Sequence, residues 1–389
     1  MIHETPSLSE ADLAVLAGLD RLHQDLRFYV RQTRRWLGTL RRATFARAVQ
    51  GSNSIEGYHA SIEDVAAVIE DEEPLDTGEE TRHAIAGYRD AMTYVLQLAA
   101  APPPLDASLI RSLHFMMMKY DLTKNPGSWR PGAIWVEDQD GRRVYAAPDR
   151  DAVDGLMAEM IAQANLADGH VLVRAAMAHL NLVLIHPFSD GNGRMARCIQ
   201  SLVLASGGIV SPEFTSIEEY LGRHTAAYYR ALTAVAQGEW SPWRDARPWI
   251  EFNLRAHYRQ AQTVQRRVRE TEALWDGCER LALARKVPRR SVAVLCDAAR
   301  GWRVRRSLYV KLVAAGDGEA ITEASATRDL RALVAAGLLQ ADGERRGRSY
   351  RATPDLRAVW GAIRSQRPEP PSDDPYVTLV QPSLPGIGG

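Results

Sequence analysis

The chain has 389 residues, 46% of them hydrophobic and 25% charged, and its 48 basic residues balance its 48 acidic ones. That length exceeds the roughly 250 to 300 residues at which one core stops growing, so two or three domains are expected, and the balanced charge names no partner. The sequence opens without a basic and apolar leader, has no run of about 18 apolar residues, and spaces Cys198, Cys278 and Cys296 for neither metal nor disulfide, so a cytoplasmic protein with buried thiols and no membrane contact is expected.

In chain order, residues 8 to 50 set Leu13, Leu16, Leu19, Leu22 and Leu26 at helical spacing among charges, which predicts amphipathic helices. The acidic run Glu70 to Pro74 and the prolines at 102 to 104 read as loops, with one helix over 79 to 99 between them. Residues 126 to 148 hold two short β-prone runs, Ala133-Ile134-Trp135-Val136 and Val144-Tyr145, around Asp140-Gly141, which predicts a hairpin in a helical setting. Helical spacing returns over 151 to 185, where Ala175 to Ile185 suits a buried central helix ended by Pro187, and helices resume at Arg194 as far as about residue 281. From 285 to 351 the chain carries 15 basic and 7 acidic residues, a surplus of 8 that marks a separate domain with its own partner. The tail from Arg367 is rich in proline and expected to be disordered. The predicted segments are residues 1–100, 101–260, a connecting helix over 261–284, a domain over 285–365 and the tail over 366–389.

The chemistry concentrates in the loop from His186 to Arg194. A loop entering a helix N-terminus points backbone N–H groups at an anion. Gly191 and Gly193 permit close approach of a phosphate around Asn192, Asp190 offers a hard oxygen to Mg²⁺, and Arg194 and Arg197, three apart, suit further phosphates. His186, with an imidazole that titrates near neutrality, suits a base that takes a proton from an attacking hydroxyl.

Residues 186 to 197, HPFSDGNGRMAR, resemble the Fic-domain signature HPFxDGNGRxxR at every fixed position. The resemblance covers roughly residues 100 to 260 and implies an all-α Fic fold with a small β-hairpin flap, at Ile134, Trp135 and Val136, that aligns target proteins by strand addition. It implies transfer of AMP from ATP to a Ser, Thr or Tyr hydroxyl of a target protein, this chain itself included, with release of pyrophosphate. In such a site His186 is the base, Asp190 holds Mg²⁺, Asn192 and the amides of Gly191 and Gly193 surround the α-phosphate, Arg194 holds the β-phosphate and Phe188 anchors the loop. Ser52 to Gly57 is similar to the inhibitory pattern [S/T]xxxE[G/N] upstream of many Fic domains, in which Glu56 would occupy Arg197 and keep it from the γ-phosphate, with Ser52 and Ser54 bonding nearby backbone. Tyr228-Tyr229 is similar to a pair beside adenine, although Ala236-Gln237 stands where some relatives carry asparagine, which leaves another nucleotide open as donor. Gly127 to Arg130 resembles a structural GxxR segment before the flap. Relatives are often homodimers.

Residues 321 to 350 look like a winged helix, an α+β domain that Fic proteins often carry. Thr327, Arg328 and Arg331 would face a groove from its recognition helix, and Arg345, Arg346 and Arg348 would reach phosphates from a basic wing. DNA or a docking protein is its expected partner. A nucleotide-responsive DNA-binding regulator, or a transferase of another nucleotide or phosphate group, stands as the alternative to AMP transfer, and His186 favours an enzyme because a sensor needs no base.

Overall fold

The computed structural model describes the whole chain except residues 32–33, 139, 209–210, 318–319, 344–347, 368–373 and 381–389. The chain divides into two compact units, one of residues 1–27, 45–262 and 373–389, the other of residues 28–44 and 263–372. Helices α1 (Glu10–Arg31), α2 (Leu37–Ile55) and the long α12 (Arg247–Ala284) each contribute to both units, so the expected connecting helix over 261–284 is the second part of a helix that starts at Arg247.

The first unit also holds α3 (Ile62–Ile69), α4 (Glu79–Leu98), α5 (Ala107–Met118), the hairpin β1 (Trp135–Glu137) with β2 (Arg143–Ala146), then α6 (Val153–Asn165), α7 (Val171–Ile185), α8 (Asn192–Ser206), α9 (Pro212–Thr215), α10 (Glu218–Arg223) and α11 (Thr225–Ala236). Helix α7 is mostly apolar, and all of its residues except Arg174 and Val183 are buried, His179 and Asn181 included. It packs mainly on α8 and α6, while α4 lies on α5 and α8. A helix buried on every side is the central rod of its layer. The continuous helical spacing read over 151 to 185 is interrupted: α6 stops at Asn165, and His170 accepts the Leu172 N–H at the start of α7.

The second unit continues with α13 (Val292–Ala299), α14 (Arg306–Asp317), α15 (Glu323–Ala335), the antiparallel pair β3 (Leu339–Asp342) and β4 (Ser349–Ala352), and α16 (Pro354–Ser365). Val304 adds an antiparallel bridge to Tyr350. Leu274, Val294, Leu295, Tyr309, Leu330, Leu333 and Leu356 lie in its core, with Cys278 and Cys296 among them as free, buried thiols. Part of the tail departs from the disorder expected of it. Residues of α17 (Pro375–Thr378) pack in the first unit: Asp374 takes both oxygens to Arg255 Nε at 3.1 and 3.0 Å, and the Tyr376 hydroxyl donates to Asp12 at 2.7 Å. Proline content reports backbone stiffness and does not weigh such side-chain anchors. Among the described residues no helix is long and apolar enough to cross a membrane.

Candidate functional site

Pro187 supplies no N–H and disfavours a helical conformation at the residue before it, so α7 ends at Ile185. His186 turns into the left-handed region, φ 53° and ψ 57°, at a cost of order 1 kcal/mol for a residue with a Cβ. Arg130 holds this turn. Its backbone N–H donates to Pro187 O at 2.8 Å and its Nε to His186 O at 2.9 Å, while Nη1 and Nη2 donate to Gly132 O and Pro148 O, each at 2.5 Å. One buried guanidinium thus ties the His186 loop to both ends of the hairpin, which gives the GxxR segment a structural role. Replacing Arg130 with Met would leave these carbonyls short of donors, and a loss of about 3 kcal/mol is expected. A fall in melting temperature with faster proteolysis within 131–148 checks this; an unchanged flap would refute it.

The rest of the loop is braced from α5. Phe188 is fully buried, its ring stacked on His114 at 3.7 Å between centroids and 8° between planes, with Trp129 at 4.9 Å. His114 Nδ1 accepts the Gly127 N–H at 2.9 Å, which leaves Nε2–H to donate to Asp190 O at 3.0 Å. That pattern needs a neutral ring, and burial lowers the His114 pKa to about 4. Asn192 exchanges two 2.9 Å hydrogen bonds with the backbone of Phe188, its Oδ1 accepting from N and its Nδ2 donating to O. The Asn192 side chain, expected beside the α-phosphate, is therefore turned inward and closes the loop. The Gly191 N–H is similarly occupied, donating to Asp190 Oδ1 at 2.6 Å. Asn192 and Gly193 belong to α8 rather than to the preceding loop, with Gly191 at φ 75° as the residue before it. The first N–H groups of α8, those of Asn192, Gly193 and Arg194, lack partners within their helix, and a helix N-terminus of this kind suits an anion.

Both arginines of the signature are buried, each about 1% exposed, rather than lying on a solvated face. Arg194 lies over the Tyr58 ring at 5.1 Å and points Nη1 toward the Tyr120 hydroxyl at 3.5 Å. Arg197 donates from Nε to Ser52 Oγ at 2.8 Å and from Nη2 to Ser52 O at 3.0 Å and Glu56 Oε1 at 2.5 Å, while among the described residues Nη1 has no hydrogen-bond partner. The Ser52 hydroxyl thus serves the guanidinium, not the local backbone expected of it; Ser54 Oγ does bond backbone, donating to Gly51 O at 2.9 Å. Glu56 stands at the end of α2 in a two-bond C-cap: the Tyr58 N–H reaches Asn53 O at 3.1 Å and the Gly57 N–H reaches Ser54 O at 3.2 Å, with Gly57 at φ 86°. That cap needs Gly or Asn after the acid, which explains the last position of the pattern. Burial opposes the Glu56 charge, but Arg197 and Arg194 outweigh it and hold the carboxyl below its usual range. A Cβ on Gly193 would come within 2.4 Å of Glu56 Oε1, so the carboxylate rests directly on the anion site.

His186 Nδ1–H donates to Val183 O at 3.1 Å, which leaves the Nε2 lone pair for a proton. Burial lowers its pKa, against the Val183 bond and the Glu56 charge, so the ring is neutral at neutral pH. His186, Glu56 and Gly193 open into one cleft of about 190 Å³, lined also by Val136 and Val144 of the hairpin and by Tyr228, Tyr229 and Leu232. Tyr145 pins the flap by donating from its hydroxyl to Leu184 O at 2.6 Å. Tyr228 is buried with its hydroxyl 3.1 Å from His179 Nε2, whereas Tyr229 is half-exposed and donates to Ile55 O at 3.3 Å; both line the cleft. On the flap, Ile134 O accepts the Ala147 N–H at 3.3 Å, Trp135 is exposed under Arg143, and the pairing shifts register after Val136. His114 and Tyr145 carried no local signal in the sequence, because each acts on backbone of a distant segment. Among the described residues no cluster of three acids, histidines or cysteines forms a resident metal site. A single aspartate, Asp190, fits Mg²⁺ that arrives on nucleotide phosphates, since that ion commonly uses one or two carboxylates plus substrate oxygens.

In the second unit, Arg328 and Arg331 lie exposed on α15 and Arg348 just before β4, while Thr327 turns its hydroxyl back to Glu323 O at 2.8 Å. Arg345 and Arg346 lie outside the described residues.

Residues 104–204 match the Fic/DOC family. The chain is 27% identical over 207 residues to a protein adenylyltransferase Fic of Nematostella vectensis, covering 52% of this chain and 45% of that protein. It is 31% identical over 183 residues to one of Culex quinquefasciatus, covering 44% and 34%. It thus spans less than half the length of these curated relatives. A Fic family protein from Desulfovibrio desulfuricans G20 superposes with a TM-score of 0.57 at 20% identity, over 90% of this chain and 98% of that one. Fic-1 from C. elegans superposes with 0.53 at 21%, over 66% and 71%. The family match runs from the turn before α5 through the flap and the His186 loop into α8, and the chain accordingly carries a Fic domain.

Proposed function

We propose that the chain is an autoinhibited protein adenylyltransferase that moves AMP from ATP to a Ser, Thr or Tyr hydroxyl of a protein, possible targets including itself. The observation that carries this reading is the neutral His186, with Nε2 free for a proton, opening into the same cleft as the N-terminus of α8. His186 Nε2 takes the proton of the target hydroxyl as its oxygen attacks the α-phosphorus. The bond from that phosphorus to the bridging oxygen of the β-phosphate breaks, and pyrophosphate leaves with the electron pair. The α8 amides and the Arg194 guanidinium meet the developing charge. Asp190 would hold Mg²⁺, which when bound neutralises phosphate charge. The β1 edge would align the target as an added strand. With Glu56 engaged, Arg197 is withheld from the γ-phosphate and ATP lies in a pose unfit for in-line attack.

The helices and hairpin of the second unit, with the Val304 bridge, support reading it as a winged helix, where Arg328, Arg331 and Arg348 would meet DNA phosphates or an acidic protein surface. The absence of a long apolar helix among the described residues fits a cytoplasmic site of action. The test is mass spectrometry after incubation with ATP and Mg²⁺. AMP on a hydroxyl of the chain or of an added lysate protein is expected; phosphate, or no adduct even without the Glu56 carboxylate, would overturn the assignment.

A further inference from the structure

Arg194, expected to hold the β-phosphate, is shut away from the cleft. It is about 1% exposed, and the cleft in front of His186 is lined by Gly193 and Glu56 but, among the described residues, not by Arg194. Its Nε has no hydrogen-bond partner among those residues, Nη1 stands 3.5 Å from the Tyr120 hydroxyl, and Nη2 donates to Met118 Sδ at 3.1 Å. A thioether sulfur is a weak acceptor, so this buried guanidinium is short of the charge-assisted bonds it can make. An anion would supply them, but only once a neighbour of the guanidinium has moved.

Two of its neighbours are fixed. Met118 is buried and wedged against the loop, since a Cβ on Gly191 would come within 3.1 Å of its Sδ. Tyr120 directly follows α5, the helix that braces the loop through His114. A third neighbour is the Tyr58 ring, whose centroid lies 5.1 Å from the guanidinium carbon, within cation–π range. Tyr58 is partly exposed and sits two residues beyond Glu56. The C-cap of α2 sets its direction: the Tyr58 N–H is bound to Asn53 O and the Gly57 N–H to Ser54 O. One glycine in the left-handed region therefore joins the carboxylate that engages Arg197 to the ring that lies against Arg194. A Cβ on Gly57 would meet nothing within 4 Å, so the conformation of this residue, not its volume, is what the cap requires.

We propose that Tyr58 is a second lock on the nucleotide site: its ring covers Arg194 while Glu56 occupies Arg197, and the Gly57 cap couples the two so that they disengage together. Removal of the Glu56 carboxylate alone then frees only one of the two arginines. The inference rests on the autoinhibited transferase reading, with Arg194 as a phosphate-binding cation.

The test uses the full chain carrying Glu56→Gly. ATP affinity is read by calorimetric titration in the presence of Mg²⁺, and AMP transfer is read separately as KM and kcat. Adding Tyr58→Ala is expected to tighten ATP about tenfold and to lower KM by a similar factor, whereas Tyr58→Phe, which keeps the ring, is expected to stay within about twofold of the parent. Arg194→Met in the same background is expected to abolish the gain, because the lock acts on that cation. In the chain that retains Glu56 and Tyr58, Gly57→Val strains the cap and is expected to bind ATP more tightly than Glu56→Gly does, while Gly57→Asn, which accepts the left-handed conformation, is expected to behave as the parent. Should Tyr58→Ala fail to fold, the two Gly57 variants decide the matter. Equal or weaker ATP binding after Tyr58→Ala would overturn the lock, since the ring would then be a platform that holds Arg194 for the phosphate. ATP binding by none of the variants would overturn it as well. If the Glu56→Gly chain binds ATP but transfers nothing, the transferase reading fails while the titrations still decide the lock.

Discussion

Replacement of His186 by alanine is expected to lower AMP transfer by roughly 10² to 10⁴-fold, the usual contribution of a positioned general base, with little change in ATP affinity. The separation follows from geometry. The imidazole is held by Val183 O and the anion site by the start of α8, so deleting the ring leaves the phosphate cradle standing. Rates with radiolabelled ATP and a parallel ATP titration check both halves, and an alanine variant that labels protein as fast as its parent would sink the catalytic role. A pH profile adds a signed expectation. Burial sets the His186 pKa below its ordinary 6.5, so the base form persists as pH falls through that value and activity is lost only further into acid. The Glu56 charge works in the opposite sense by favouring the imidazolium, so removing it should move the acid limb lower still.

Glu56→Gly is expected to raise transfer by roughly 10 to 100-fold, the range set by one charge-assisted hydrogen bond of about 1.5 to 3 kcal/mol. Arg197 keeps its two bonds to Ser52 in this variant, so the cation stays in place while the volume over Gly193 empties. Glu56→Gln should release less, since the amide still occupies that volume. Initial rates of AMP incorporation separate the three proteins, and equal rates in folded material would discard the brake. The sign with pH is also fixed: a carboxyl held below its ordinary 4.5 keeps the pair intact through the neutral range and gives it up only as pH falls through the lowered value.

What could be read from sequence was what is local. The His186 to Arg197 segment and the hairpin turn at Asp140-Gly141 each depend on residues close together in the chain, so spacing and residue type suffice. The partners that make the loop rigid are not local. Arg130 lies 56 residues from the carbonyl it binds and His114 lies 76 from its own, and nothing in either neighbourhood announces the pairing. The side-chain bonds of Asn192 were illegible for a related reason: a polar residue between two glycines suggests a ligand contact, and nothing in its neighbourhood tells that the backbone of Phe188 takes both ends of its amide. The pair Glu56 and Arg197 was legible only because a family pattern linked positions 141 residues apart.

The placement of Glu56 at the very end of α2 has a mechanical outcome. The outgoing carbonyls of a helix make its C-terminus slightly negative, a poor setting for a carboxylate, so that end of α2 is electrostatically mismatched and Arg197 is what compensates it. Once the compensation is withdrawn, the terminal turn is free to fray while the buried body of the helix stays where it is. Switching would then be a hinge movement over about one helical pitch, near 5 Å, within reach of a modest binding event and demanding no rearrangement of the core.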